Sequence, residues 1–92
     1  MTAKRDRVDI IHDMLDIIRR RDGTVKPTQI MYKANLSHSM LNDYMAEIKA
    51  KGFIVENVDK KGRKTYSLTE KGNVFLRDYY KIREFFDSYG LN

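Results

Sequence analysis

The chain has 92 residues, a formal net charge of +5, a pI near 9.5 and no cysteine. This length allows one small domain, and the absence of thiols excludes disulfides, thiolate catalysis and cysteine-ligated zinc. The positive charge is typical of a protein with an anionic partner. The whole excess lies in residues 1–69, because residues 70–92 carry four cations and four anions. No apolar run approaches the length of a membrane span and no signal peptide is visible, so we expect a soluble, cytoplasmic protein without a membrane partner.

The first amphipathic pattern predicts a helix over residues 5–21, ended by a left-handed Gly23. Its apolar side chains cover about half of the helical wheel, more than one core requires, so we expect the helix to contact a second body. These side chains are Val8, Ile10, Ile11, Met14, Leu15, Ile17 and Ile18. The opposite face carries three aspartates, which repel phosphate, and we place that face away from nucleic acid. The arginines at 19–21 suit the carboxyl end of a helix dipole, and a DNA contact is the alternative.

Residues 24–52 predict a short extended piece and then two short helices joined by a tight turn. Pro27 suits the first turn of the second helix, because no N–H is needed there. Asn35 is expected in the left-handed conformation and Ser37 at the N-cap of the third helix. The third helix is predicted from about His38 to Lys51. The residues expected to be buried on these two helices and their turn are Ile30, Met31, Ala34, Leu36, Met40, Leu41, Tyr44, Met45 and Ile48.

Residues 53–68 have the alternating pattern of a β-hairpin. The strands are predicted over Phe53–Val58 and Thr65–Leu68, and the tip at residues 60–64 places four cations around one glycine. Such a tip can follow a phosphate strand or enter the minor groove. The alternative is a solvated loop whose lysines blunt an exposed sheet edge. Thr69 then caps a last helix that is predicted to end near Tyr89.

A helix-turn-helix followed by a basic hairpin is the element order of a winged helix-turn-helix DNA-binding domain. The predicted fold class is therefore α+β, mainly α, with residues 1–69 as the DNA-binding domain and residues 70–92 as a C-terminal dimerisation helix. The expected partners are double-stranded DNA and a second copy of the chain.

The exposed face of the third helix is slim enough to enter a major groove. Asn42 is the best candidate for reading a base, because an amide can form two hydrogen bonds with adenine. No arginine lies on this face, so we expect weak or A·T-leaning sequence preference. The predicted DNA-binding residues are Thr28, Gln29, Lys33, Ser37, His38, Ser39, Asn42, Lys49, Lys60, Lys61, Arg63 and Lys64. If the basic hairpin, or wing, is left aside, the residues on the exposed face of the third helix could equally be ordinary solvated side chains.

Apolar residues on the last helix recur at the spacing of a coiled-coil seam. The predicted dimer interface consists of Phe75, Tyr79, Ile82, Phe86 and Tyr89. A second line, Leu76 and Tyr80, lies beside this seam, so that one line can pack on the first helix and the other on a second subunit. The alternative is that both lines cover the core of a monomer. The pattern leaves open whether the two helices would pair in parallel or antiparallel.

Several stretches of the chain resemble one known group of proteins. They are residues 30–37 (IMYKANLS), Leu41, Tyr44, residues 51–54 (KGFI) and residues 66–72 (YSLTEKG). Over about residues 8–86 the chain resembles the small archaeal winged-helix proteins of the 10a chromatin type from Sulfolobales. The resemblance implies a dimeric, nucleoid-associated or regulatory DNA-binding protein joined through its C-terminal helices. The family pattern often has an aromatic residue where His38 stands here.

Three functions are compatible with these patterns. The first is an architectural protein that binds duplex DNA with little sequence preference, and the second is a regulator with a palindromic operator. The third is a protein-interaction winged helix without DNA binding, against which the charge of the wing argues. Catalysis is not expected, because His12 and His38 have no carboxylate or nucleophile at a motif spacing and no glycine-rich phosphate loop exists. We also expect no cofactor, metal or small-molecule substrate.

Overall fold

The computed structural model describes residues 5–91 and contains four helices and one antiparallel hairpin. The elements are α1 (Arg7–Arg20), α2 (Pro27–Lys33), α3 (His38–Ala50), β1 (Ile54–Val58), β2 (Lys64–Leu68) and α4 (Glu70–Ser88). This arrangement confirms the predicted α+β, mainly α, architecture, and the predicted helix and strand ends lie within two residues of those observed. The predicted extended piece is reduced to a single bridge, in which Val25 pairs with Tyr66 on the side of β2 away from β1.

The ends of the elements are set by short-range hydrogen bonds. The Ser37 hydroxyl accepts from the Met40 N–H at 3.1 Å, and the Thr69 hydroxyl accepts from the Gly72 N–H at 3.1 Å. Asn35, at φ +56°, makes the sharp turn between α2 and α3. These contacts confirm the predicted caps and turn. At the start of α1, the side chains of Asp6 and Asp9 each accept from the other residue's backbone N–H, a reciprocal cap that the sequence analysis missed.

All six elements contribute to one apolar core, which α1 crosses. The buried residues are Ile10, Ile11, Met14, Leu15, Ile18, Val25, Ile30, Ala34, Leu36, Leu41, Met45, Ile48, Phe53, Ile54, Tyr66 and Leu76. The wide apolar arc of α1 is used on two sides, because the helix packs both on the hairpin and on α4. Part of the arc predicted to contact a second body is therefore covered by α4 of the same chain, and a contact with a second subunit stays a prediction. Val8 is the member of that arc left most exposed, at 46%.

The hairpin turn closes one residue earlier than predicted. Lys64, predicted at the tip, lies in β2 and pairs with Val58. The reason is that the Asp59 N–H donates to the Arg63 carbonyl and the Gly62 N–H donates to the Asp59 carbonyl, each at 3.0 Å. Gly62, at φ +79°, supplies the left-handed residue that this turn requires. The wing tip therefore consists of residues 59–63, and Lys64 projects from the adjoining strand.

Candidate nucleic-acid interface

The α3 side chains that were predicted to be exposed are exposed in the structure. His38, Ser39, Asn42 and Lys49 are all exposed, while Leu41, Met45 and Ile48 fix the opposite side of the helix in the core. The amide nitrogen of Asn42 lies 3.4 Å from His38 Nδ1, one helical turn earlier. The structure therefore places Asn42, the predicted base reader, on one exposed face with His38, Ser39 and Lys49.

Two of the predicted contacts at the turns have structural roles. The Gln29 side chain accepts from the Lys26 N–H at 2.9 Å, and Ser37 caps α3. Thr28 and Lys33 are exposed. Next to Lys33, the Tyr32 side chain is 77% exposed, although Tyr32 is not among the predicted DNA-binding residues. Tyr32 lies opposite the buried residues of α2, so a helical wheel of this segment predicts that its side chain is exposed.

The wing tip is organised by Asp59, which the sequence analysis also left out. Its carboxylate accepts from the N–H of Lys61 at 2.8 Å and of Arg63 at 2.9 Å, and from Arg63 Nε at 2.6 Å. The backbone N–H and the guanidinium of Arg63 hold the pKa of Asp59 below its ordinary value. Within residues 5–91, Lys60, Lys61 and Lys64 form no ion pair, whereas Arg63 does. An aspartate whose side chain bonds to backbone N–H groups of the following turn is a recognised local pattern, so this role could have been predicted.

A carboxylate on β1 connects α3 to the hairpin that forms the wing. Glu56 Oε1 lies 3.3 Å from Lys49 Nζ on α3, and it accepts from the Tyr66 hydroxyl at 3.2 Å. Burial raises the pKa of Glu56, but the hydrogen bond and charge of Lys49, the charge of Lys64 and the Tyr66 hydroxyl together lower it below its ordinary value. Burial, and then the neighbouring carboxylate, raises the pKa of Tyr66 to about 12. Lys49, one of the predicted DNA-binding residues, is therefore already paired in the free protein.

The three aspartates of α1 are each paired with arginine. Asp16 binds Arg19 at 2.7 Å and Arg20 at 3.0 Å, so two of the three arginines in the run at 19–21 have a partner on their own helix. Asp13 pairs with Arg5 at 2.8 Å, and Asp9 pairs with Arg83 of α4. The acidic face of α1 thus stabilises the fold. These pairs favour the structural interpretation of Arg19 and Arg20 over a DNA contact.

The predicted seam on α4 is divided between two environments. Tyr79 faces its own α1, where its hydroxyl donates to Asp9 at 2.7 Å and its ring stacks on His12 with centroids 4.1 Å apart. Phe75 packs against Phe53 with ring centroids 5.1 Å apart. Leu76, from the neighbouring line, is buried in the core. The part of α4 nearest the hairpin is therefore largely occupied by contacts within the chain.

The far end of α4 carries exposed apolar side chains. Ile82 is 53% exposed, Phe85 58% and Tyr89 67%. Phe85 was not in the predicted seam, although it follows Ile82 by three residues and precedes Tyr89 by four. An apolar groove of about 330 Å³ runs between the start of α1 and this end of α4. Its lining consists of Asp6, Val8, Phe75, Asp78, Tyr79, Ile82, Arg83 and Phe86.

The contact between Asp9 and α4 gives a prediction for acid stability. Burial raises the pKa of Asp9, but the Tyr79 hydroxyl, the Asp6 N–H and Arg83 bring it below its ordinary value of 3.8. A carboxyl with a lower pKa in the folded state contributes stability that is complete above the unfolded value and lost as pH falls through the folded value. Asp9→Asn should therefore lower the free energy of unfolding at pH 7, and the gap to the native protein should close as the pH falls below 3.8.

Urea denaturation at pH 7, 4 and 2.5 would measure this gap. Asp22→Asn is the matched control, because Asp22 is exposed and forms no ion pair in the described part of the chain. The free energy of unfolding of Asp22→Asn should equal that of the native protein at each pH. A gap for Asp9→Asn that persists unchanged at pH 2.5 would contradict the assigned role.

The sequence of residues 4–86 matches the winged helix-turn-helix family, and the chain belongs to that family. Two relatives are archaeal, both uncharacterised proteins of Methanocaldococcus jannaschii. MJ0287 is 32% identical over 85 residues, covering 92% of this chain and 80% of that protein. MJ0290 is 33% identical over 85 residues, and this chain spans only 36% of its length. Between residues 5 and 91, each helix is too short or too polar to cross a membrane.

Solved structures share the fold. Sso10a-2, a DNA-binding protein from Sulfolobus solfataricus, superposes with a TM-score of 0.73 at 24% identity, covering 94% of this chain and 90% of that chain. MarR superposes with a TM-score of 0.75 at 18% identity, covering 86% and 58%. MepR, a transcription regulator of a Staphylococcus aureus multidrug efflux pump, gives a TM-score of 0.73 at 17% identity, covering 87% and 60%. This chain thus spans about three fifths of MarR and MepR.

Proposed function

We propose that the protein binds duplex DNA as a homodimer and acts as a nucleoid-associated protein or a transcription regulator. The observation that carries this proposal is the placement of the α3 face beside a wing whose three lysines form no ion pair within residues 5–91. The ion pair between Lys49 and Glu56 shows that the two elements adjoin. Structural likeness supports the proposal, since Sso10a-2 is a DNA-binding protein and MepR, of the same fold, has been solved in a complex with DNA.

In the proposed complex, α3 lies in the major groove and the wing follows the phosphate backbone. Asn42 contacts a base edge and Ser39 contacts phosphate. Lys60, Lys61 and Lys64 also contact phosphates, which dominate the affinity. The other predicted contacts remain proposals, with Lys33 and Thr28 placed on the backbone side, except that Lys49 is already held by Glu56 in the free protein. Without an arginine on the exposed face of α3, the sequence preference is weak. Binding of this kind places the protein on the nucleoid.

We assign the chain to the 10a chromatin type within its family. The likeness to Sso10a-2, which extends over nearly the whole of both chains, supports this assignment. Residues 1–69 are then the DNA-binding domain and residues 70–92 the dimerisation helix, whose exposed end is formed by Ile82, Phe85 and Tyr89. No catalytic role is proposed.

A protein-interaction module is the second candidate, favoured by one observation. Tyr32 is a large aromatic side chain that is 77% exposed on the helix-turn-helix. Exposed aromatic residues are enriched at protein interfaces. This candidate differs from the first in its response to salt, because apolar contacts do not release counterions.

Fluorescence anisotropy of a labelled random-sequence duplex, titrated at several salt concentrations, tests the proposed function. The logarithm of the affinity should fall with the logarithm of the salt concentration, with a slope of about −5 to −7 for roughly six to eight phosphate contacts per dimer. A structured RNA of similar length, titrated in parallel, separates DNA binding from general polyanion binding. Absent binding at low salt would contradict the proposal and leave the protein-interaction module.

A further inference from the structure

We propose that Glu56 limits the affinity of the protein for DNA of arbitrary sequence, by pairing with Lys49 and by opposing phosphate between α3 and the wing. This inference rests on the proposed function, since it assigns a role within the same interface. It concerns a residue that the predicted DNA-binding set does not contain.

The position of the Glu56 carboxylate is fixed by the core. Glu56 stands opposite Tyr66 in the hairpin register, and the Tyr66 side chain is almost fully buried. Its hydroxyl donates to Glu56 Oε1 at 3.2 Å, the same oxygen that Lys49 approaches at 3.3 Å. Because Tyr66 anchors one side of the contact, the carboxylate cannot readily turn away when a polyanion approaches.

Cations on two neighbouring elements act on this carboxylate. Lys49 of α3 and Lys64 of β2 both lower the pKa of Glu56, which is therefore ionised at neutral pH. Lys49 is already paired with Glu56, so a phosphate must compete with the Glu56 carboxylate for it. A contact between Lys49 and the DNA backbone therefore adds little to the release of counterions from the DNA. Asn42, the proposed base reader, forms no hydrogen bond with Glu56 within residues 5–91. The carboxylate thus weakens the contribution of the DNA backbone while leaving direct base contacts intact, which raises the ratio of specific to nonspecific affinity.

The variant that tests this role is Glu56→Gln. The amide keeps an oxygen that can accept from Tyr66, but it removes the charge that holds Lys49. For each protomer that contacts a random-sequence duplex, the affinity should rise by about five- to tenfold near 0.1 M salt and the salt slope should steepen by about 0.9, the value of one phosphate contact. A merely structural role for Glu56 would not steepen the salt dependence.

Two further variants make the test specific. Glu84→Gln changes the net charge equally on the exposed side of α4, and its affinity should stay within about twofold of the native value because exposed charges are screened at this distance. Lys49→Gln should leave the salt slope of the native protein almost unchanged. In the Glu56→Gln background, Lys49→Gln should remove the gain in affinity for the random-sequence duplex.

The outcomes separate this inference from the proposed function. If the native protein binds the duplex but Glu56→Gln binds equally or more weakly, with its thermal unfolding midpoint retained, the role of Glu56 is refuted and the proposed function stands. Equal tightening by Glu84→Gln would refute it too. Should Glu56→Gln fail to fold, the native-background Lys49→Gln variant decides, since a slope reduced by about one would show that Lys49 already binds phosphate. If the native protein binds no duplex at low salt, both proposals fall.

Discussion

Replacing Lys60, Lys61 and Lys64 together by glutamine is expected to lower the affinity for random-sequence duplex DNA by about a hundredfold or more near 0.1 M salt. Within residues 5–91 these lysines form no ion pair, so each is available to replace a counterion on a phosphate. The salt slope should become shallower by about 0.9 for every lysine that meets a phosphate. The change should arise without loss of fold, because all three side chains are exposed.

Anisotropy titrations at several salt concentrations would measure this effect, with a variant of equal charge as the control. Arg20→Gln, Arg77→Gln and Lys81→Gln remove three exposed cations from α1 and α4, outside the proposed interface. That variant should stay within about threefold of the native affinity, since distant exposed charges are screened. If it weakens binding as much as the wing variant does, net charge explains the affinity and the wing is not the contact.

The single variant Arg63→Gln should have a smaller effect than any one of the wing lysines. Arg63 is already bound to Asp59, through its guanidinium and its backbone N–H. A cation with an internal partner gains less from phosphate than an unpaired one, because the existing contact must be given up. The same titration, compared with Lys60→Gln, measures this difference, and a larger loss for Arg63→Gln would show that the arginine leaves Asp59 on binding.

The sequence predicted the elements well because their ends depend on neighbours in the chain. Ser37 and Thr69 cap helices through N–H groups three residues away, and Asn35 and Gly62 turn the chain through their own backbone conformation. The alternation of apolar and polar residues likewise indicated which side of α3 would be buried. Such signals need no knowledge of the tertiary structure.

The interface charges were harder to predict because they depend on residues that are distant in sequence. The pairing of Lys49 with Glu56 arises only when β1 returns alongside α3, and the Tyr66 contact depends on the hairpin register. The contact of Tyr79 with Asp9 joins residues 70 positions apart. A helical wheel also gives the angles between the apolar lines of α4 without showing which line faces α1. For this reason Phe75 and Tyr79 were placed in the predicted seam, although they pack within the chain.

One part of α4 packs within the chain and the other part is exposed, and this division bears on how two copies would associate. Phe75 and Tyr79 are engaged within the chain, whereas Ile82, Phe85 and Tyr89 are mostly exposed on successive turns. Contiguous exposed apolar side chains on a small domain mark an interaction surface. The proposed dimer therefore rests on the far end of α4 and the adjacent groove beside Val8, more than on the whole predicted seam.

Phe85→Glu is expected to convert the proposed dimer into a monomer. The side chain is 58% exposed, so a charge there costs the folded monomer little, whereas it cannot be buried against a second copy without a large desolvation penalty. Sedimentation velocity over about 1–100 µM, the range in which micromolar association would be visible, measures the mass. Tyr32→Glu, another exposed aromatic residue replaced by the same charge, should leave the mass of the dimer unchanged.

The loss of the dimer should also appear in DNA binding. A monomer presents one α3 and one wing, so the salt slope of Phe85→Glu should fall to about half of the native value, since the slope counts the phosphates met by each binding unit. A native protein that sediments as a monomer throughout this range would remove the dimer from the proposal. If Phe85→Glu remains dimeric, the subunits associate elsewhere, and the exposed end of α4 needs another partner. A halved slope accompanied by a halved mass would connect the C-terminal helix to DNA binding through one substitution far from the wing.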